Sequence, residues 1–530
     1  MRLVVYDTTL RDGAQQEGLL FSVEDKLRVL ELLDELGLDY IEGGWPGSNP
    51  TDALFFERAK EMTIRNARLA AFGCTRRADR HVEDDAGVRA LLAAGTPAVT
   101  VFGKSHPSHV RHVLSTSLET NLRMIGDTVS YLVDAGREVI FDAEHFFDAF
   151  GADSGYAMDT LCAASNAGAS TLVLCDTNGG SLPQQLGRVV EFVHHRMDSP
   201  IGIHAHNDAG VAVANSLVAV QSGVTHVQGT VNGYGERCGN ADLCALLPSL
   251  VIKLRHTCRV ARALPSLSRL SAAIDEIANC RPDPQRPYVG ASAFAHKGGM
   301  HVDAMAKCAQ SYEHVDPSSV GNRTRTLVSS VSGRASLRLK TEEFGLRLGE
   351  IGGTGAEAAL LSKIKHLEHL GFQFEGAEAS VELLIRRLAP EYRSPFCLDD
   401  FHVLVQGHPD GGMRADASVK VSFEDEIVQT AADGNGPVNA LDAAVRKALI
   451  PKFPRIAEVR LADYKVRILD AESGTAAKTR VLITSTDGGR RWSTVGCGTN
   501  IIEASWLALA DAYEYASIAL AVVCGERTGR

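Results

Sequence analysis

The 530-residue sequence has no basic run of the kind that supplies phosphate contacts along a nucleic acid, and Lys plus Arg (54) against Asp plus Glu (65) leaves a net charge of −11. Nucleic acid is therefore not an expected partner. Long apolar runs are also missing. The longest, at about 516–524, falls far short of the ~18 residues that a membrane span needs, so no membrane is expected either. The start, Met1-Arg2-Leu3-Val4-Val5-Tyr6-Asp7, has no charged segment leading into an apolar one, and no export is signalled. The 11 cysteines are odd in number and contain no C-x-x-C pair, which excludes a zinc cage of that spacing and fits reduced thiols in a cytoplasmic protein. What remains is ordinary globular composition, 45% apolar and 22% charged. A chain of this length suggests about three or four domains, or one large barrel with appendages.

Short β-branched or apolar runs alternate with helical periods through the first half of the chain. Strands are expected at 4–8, 40–43, 69–73, 98–103, 138–143, 171–176, 201–206 and 226–232, each followed by a helix. Ser22 with Asp25 reads as the cap of the first helix, Leu27, Leu30, Leu33 and Leu36 form its apolar stripe, and Gly37 ends it. Consecutive βα units of about 30 residues are the pattern of a (β/α)8 TIM barrel, an α/β fold. A doubly wound open sheet is the alternative. The expected division is a catalytic barrel over 1–262, a helical linker subdomain over 263–395 and a C-terminal α+β domain over 396–530. The linker is broken by Pro282, Pro284 and Pro287 and by Gly352-Gly353-Thr354-Gly355. The last region repeats itself at about 60 residues, which predicts two β-β-β-α modules with a seam able to hold a small effector.

His204-Ala205-His206-Asn207-Asp208 closes the seventh expected strand. Residues i and i+2 of a strand share a face, so both imidazoles project into one cavity. Asp12, just beyond strand one, opens at the same carboxyl-terminal rim. Two histidines and a carboxylate with open positions suit a divalent ion of Mg, Mn or Zn type. Read alone, Arg11-Asp12-Gly13 is equally a surface turn with a solvated ion pair. Glu144 stands past strand five among aromatic residues that would desolvate it, either a general base or a capping carboxylate. Asp176-Thr177-Asn178 and Asn232 add polar groups to the rim. Gly233 to Asn240 is glycine-rich, but its spacing is not that of a nucleotide loop.

Together four segments carry a resemblance: Asp7-Thr8-Thr9-Leu10-Arg11-Asp12-Gly13-Ala14-Gln15, the His204–Asp208 run, Gly235-Glu236-Arg237-Cys238-Gly239-Asn240, and Ala293-Phe294-Ala295-His296-Lys297-Gly298-Gly299-Met300-His301. The chain resembles the 2-isopropylmalate, homocitrate and citramalate synthase family over nearly its whole length. Tyr40-Ile41-Glu42-Gly43-Gly44-Trp45-Pro46-Gly47-Ser48-Asn49-Pro50 and Phe141-Asp142-Ala143-Glu144-His145-Phe146-Phe147 look most like the citramalate-forming branch. The resemblance implies an enzyme that joins the methyl carbon of acetyl-CoA, its co-substrate, to the carbonyl of a 2-oxo acid and hydrolyses the thioester. It implies Asp12, His204 and His206 as metal ligands with Asn240 as a fourth, Arg11 as a stabiliser of negative charge, Glu144 as the base, and His301 with Tyr312 as the pair assisting enolisation or hydrolysis from a partner subunit of a homodimer. Pyruvate is the expected oxo acid, with bulky Phe102 and polar Asp142 limiting the pocket, and isoleucine the expected effector of the repeat domain. Lys104-Ser105-His106-Pro107-Ser108-His109 departs from the family's run at this point. The rival readings are a 2-isopropylmalate or homocitrate synthase, a hydroxymethylglutaryl-CoA-like lyase, and a non-catalytic amino-acid sensor.

Overall fold

In the computed structural model of the protein, the described residues are 2–525 except 299–300, 302–303, 306, 309–311, 330–331, 348–350, 352, 354 and 408–411. The chain folds as two compact units, Met1–Phe294 with Glu313–Arg323 and Ala295–Tyr312 with Thr324–Arg530.

The first unit is a closed barrel of parallel strands in sequence order: β1 (Val4–Asp7), β2 (Tyr40–Gly44), β3 (Arg68–Cys74), β4 (Ala98–Lys104), β5 (Glu138–Glu144), β6 (Thr171–Asp176), β7 (Ile201–Ala205) and β8 (His226–Gly229). β8 closes on β1 with Val4 opposite His226 and Asp7 opposite Gly229. Alternation along each strand explains the layering. Val5, Ile41, Val99, Val101, Val139, Leu172, Leu174, Ile203 and Val227 belong to the main apolar core, whereas Tyr6, Ala70, Ala98, Ile140, Val173 and Cys175 form a separate cluster. Two residues further along the latter face, the side chains turn polar: Glu42, Thr100, Asp142, His204 and Gln228 are all buried. The barrel thus has an apolar floor and a polar upper layer. The first helix, Val23–Leu36, starts on a reciprocal Ser22–Asp25 capping box and ends at Gly37 in a left-handed conformation (φ 81°), as the sequence predicts.

Three strand-end features differ from expectation. β7 ends at Ala205, so His206 lies past the strand and bridges to Asn240 instead. β8 ends at Gly229 because the backbone N–H of Thr230 turns to Ala241 O (3.1 Å) and its hydroxyl donates to Tyr234 O (2.7 Å), taking the chain out of the ladder. Short helices Pro107–His112 and Phe146–Ala152 also precede the main helices after β4 and β5.

The second unit begins with a two-strand parallel pair, β9 (Ala295–His296) and β10 (Arg325–Thr326), followed by helices Arg334–Glu343, Ala356–Leu370 and Glu378–Arg386. Gly352 and Thr354 of the glycine loop, and Gly299 and Met300 of the fourth motif, lie outside the described residues. The predicted repeat is present. β11 (Cys397–Gly407), β12 (Met413–Ser422) and β13 (Ile427–Gly434) form an antiparallel sheet followed by helix Pro437–Leu449. β14 (Arg460–Ile468), β15 (Thr479–Thr486) and β16 (Arg491–Gly498) repeat it before helix Ile501–Gly525. Both copies share one apolar core, from Ala415 and Leu441 to Ile483 and Leu509.

Candidate active site

The polar upper layer opens on a cavity of about 190 Å³ at the carboxyl-terminal rim, lined by Arg11, Asp12, Trp45, Phe72, Phe102, Asp142, Glu144, Thr177, His204, His206 and Arg237 among others. Asp12, His204 and His206, all buried, present one ligand atom each within 4.8 Å of one another. Asp12 Oδ2 lies 3.2 Å from His204 Nε2 and 3.5 Å from His206 Nε2, and the two Nε2 atoms are 3.2 Å apart. The surface-turn reading of Arg11-Asp12 does not hold, since Asp12 is buried.

Behind the triad, His204 Nδ1 is 3.0 Å from Gln228 Oε1, and Gln228 Nε2 donates to Asp142 Oδ1 at 3.2 Å. With its amide nitrogen engaged, Gln228 offers His204 an acceptor, so the imidazole proton sits on Nδ1 and the Nε2 lone pair faces Asp12. Three such donor atoms converging on one point make a group that can hold a cation. His206 Nδ1 and Asn240 Oδ1 are also buried without a hydrogen-bond partner. The Asp12, His204 and His206 set fits a divalent ion. Asn240 is carried by a turn that only glycine permits: Gly239 has φ 84°, and a Cβ there would lie 2.0 Å from Gly233 O.

Arg11 Nε donates to Glu42 Oε2 at 2.6 Å, and its guanidinium lies 3.7 Å from the Phe72 ring centroid. Glu42 also accepts from Tyr6 Oη (2.6 Å) and from the Thr8 hydroxyl. Burial opposes charge on Arg11, yet Glu42 and Asp12 beside it outweigh burial and hold the guanidinium protonated. Burial likewise opposes the Asp12 carboxylate, but the Arg11 guanidinium beside it keeps its pKa well below the usual range. At Asp142 the Arg11 charge and the Gln228 hydrogen bond favour the carboxylate but are outweighed. Burial, then the Glu42 charge, pushes it up to about 8.

Glu144 ends β5 with Lys104 as its ion-pair partner. The expected aromatic surround is not what Phe146 and Phe147 provide, because both are buried in the main core. Thr177 joins the cavity and its hydroxyl accepts the His145 N–H at 2.8 Å. Asp176 is occupied by Ser181 (2.9 Å) and Asn178 by Asp148 (2.8 Å). Asn232 is a correction: its amide donates to Asp275 Oδ1 (2.8 Å) on the helix Leu267–Ile277 and it does not line the cavity. In the second unit, the rings of His301 and Tyr312 stack with centroids 4.5 Å apart. Glu42, Gln228, Trp45, Phe72, Arg237 and Lys104 escaped sequence reasoning. For Glu42 and Gln228 a signal existed, since each sits two residues along a strand from an inward ring, Tyr40 and His226.

An HMGL-like family model matches residues 2–270, a homocitrate synthase post-HMGL domain-like model 288–369, and a LeuA allosteric (dimerisation) domain 375–517. The chain is 49% identical to the (R)-citramalate synthase of Aquifex aeolicus, covering 97% of each, and 48% identical to that of Synechocystis, covering 97% of this chain and 96% of the relative. This chain belongs to the citramalate synthase family. Identity falls to 30% for the 2-isopropylmalate synthase of Methanocaldococcus jannaschii, over 96% of this chain and 94% of that one. The citramalate synthase relatives span both units, so the likeness is not confined to the barrel. The chain carries a domain of the dimerisation type, and among the described residues no helix is long and apolar enough to cross a membrane.

Proposed function

We propose that the protein condenses acetyl-CoA with pyruvate to (R)-citramalate and releases CoA. The observation that carries this reading is the Asp12–His204–His206 donor triad opening on a cavity of only about 190 Å³ with Phe72 and Phe102 in its wall, room for an oxo acid with a small substituent. Asp12, His204 and His206, with Asn240 as a fourth, would hold a divalent ion, which would supply Lewis acidity toward the oxo acid. Arg11, kept charged by Glu42 and Asp12, stabilises negative charge that develops on those oxygens. Glu144 takes a proton from the acetyl methyl group, and the resulting carbon attacks the pyruvate carbonyl to form the new C–C bond. Water then cleaves the thioester to a carboxylate and the CoA thiol. His301 and Tyr312 assist enolisation or this hydrolysis; the family motif that carries them and their stacked rings support the assignment.

The division of labour is catalysis in 1–262, linkage in 263–395 and regulation in 396–530, in a homodimer. Isoleucine is the proposed effector. The seam between the two repeats holds a cavity of about 400 Å³ where Asp442, Arg446 and Tyr513 face apolar Val438, Leu461, Ile483 and Leu509, a pairing of opposite charges with aliphatic surface that suits a branched α-amino acid. No C-x-x-C pair occurs among the 11 cysteines, which supports a cytoplasmic setting. The test is CoA thiol release from acetyl-CoA with a panel of 2-oxo acids, with the product identified by mass and chirality. Pyruvate is expected to lead the panel and to give (R)-citramalate; turnover with 3-methyl-2-oxobutanoate in its place would assign 2-isopropylmalate synthesis.

A further inference from the structure

The aromatic side of the cavity is a three-ring assembly. Phe72 of β3 and Phe102 of β4 stack nearly parallel, with centroids 5.4 Å apart and planes 16° apart. Trp45, one residue beyond β2, stands edge-on to both, 5.6 Å from each at 83°. It lines the cavity with them, and Arg11 covers Phe72. Edge-to-face pairs hold rings in a defined place. The indole therefore stops the two phenyl rings from spreading.

The backbone of Trp45 is itself held from behind. Asp52 Oδ2 accepts the Trp45 N–H at 2.8 Å and the Asn49 side-chain amide at 3.1 Å, while Asp52 Oδ1 pairs with Lys26 Nζ. Lys26 also donates to Gly43 O at 3.1 Å. The Lys26 and Asp52 side chains are only 5% and 9% exposed. An ion pair buried this deeply adds little stability over apolar residues of the same volume, so its contribution here is geometric: it fixes the path of Gly43-Gly44-Trp45. The path is tight, since a Cβ on Gly44 would lie 2.5 Å from Asp52.

We propose that Trp45 is a specificity-determining residue, which by backing Phe72 and Phe102 limits the length of the 2-oxo acid side chain, and that the Lys26–Asp52 pair positions it. This rests on the reading that the cavity takes a 2-oxo acid. The test compares kcat/KM for pyruvate and 2-oxobutanoate, each with acetyl-CoA, in the wild-type full chain and in Trp45→Leu, Trp45→Phe and Asp52→Asn. In wild type pyruvate is strongly preferred. Trp45→Leu is expected to raise the 2-oxobutanoate to pyruvate ratio by about tenfold or more, the scale of one methylene in a tight pocket. Trp45→Phe and Asp52→Asn shift it less, in the same direction. A general packing role would lower both values and leave the ratio unchanged, and that result overturns the inference. Should Trp45→Leu fail to fold, an unchanged ratio in Trp45→Phe overturns it equally. A ratio moved by Trp45→Leu but not by Asp52→Asn removes the positioning role of the pair alone. Wild-type enzyme inactive on pyruvate would instead overturn the proposed reaction.

Discussion

Lys104 and Glu144 stand opposite one another at the ends of neighbouring parallel strands, and their ammonium and carboxylate form an ion pair at the rim of the cavity. The register of β4 on β5 therefore aims the Glu144 carboxylate, and a strand end is a stiffer mount than a loop.

Glu144→Gln keeps the shape of that side chain but cannot accept the methyl proton. Turnover is expected to fall by ~10²-fold or more with little change in oxo-acid affinity. Steady-state kinetics with a separate binding measurement for pyruvate checks this; lost affinity with near-normal turnover would make Glu144 a binding residue and place the base elsewhere.

Removing divalent metal is expected to abolish condensation, as is His204→Ala or Asp12→Asn in a folded protein. Gln228→Leu tests the support behind the triad. Without an acceptor for His204 Nδ1, metal affinity should weaken about 10–100-fold while all ligands remain. Calorimetric titration of the apoprotein with Mn²⁺ reads this directly, and unaltered affinity would show that Gln228 does not orient His204.

His226 lies in the barrel floor beside the Tyr6 and Tyr40 rings, with Nε2 buried and without a hydrogen-bond partner. Burial lowers its pKa from 6.5 to about 3. Between those values the unfolded chain binds a proton that the folded barrel refuses, so this group's contribution to stability is full above about pH 6.5 and declines as pH falls toward 3. The slope is about 1.4 kcal/mol per pH unit. From pH 7 to pH 5 the wild type should lose about 2 kcal/mol more than His226→Phe in urea unfolding. Equal losses would mean that His226 titrates normally.

Leu461 lines the seam cavity and is largely exposed, so Leu461→Trp can fill the space without disturbing the core. Basal activity should persist while the isoleucine concentration for half-inhibition rises about tenfold or more, because an effector acts only through its differential affinity for two states. Inhibition curves of the two proteins compared at one pyruvate concentration decide it; superimposed curves would move the effector site elsewhere.

The sequence by itself determined most of the elements and the grouping of Asp12, His204 and His206. Strand alternation, helical period, the Ser22–Asp25 cap and the 60-residue repeat are local patterns, and the H-x-H spacing with Asp12 is legible because strand ends share one rim. The tertiary structure alone decided which partners meet. Pairing of β7 with β8 brings Gln228 behind His204, and pairing of β1 with β2 sets Tyr6 beside Glu42. The departure of the chain at Thr230 sends Asn232 to a helix instead of the cavity. Register sets Lys104 against Glu144, and packing of the first helix on the next places Lys26 against Asp52 beneath Trp45. Each of these depends on groups distant in the chain, for which no periodicity in the sequence gives a signal, and on whether burial leaves a polar atom with or without a partner.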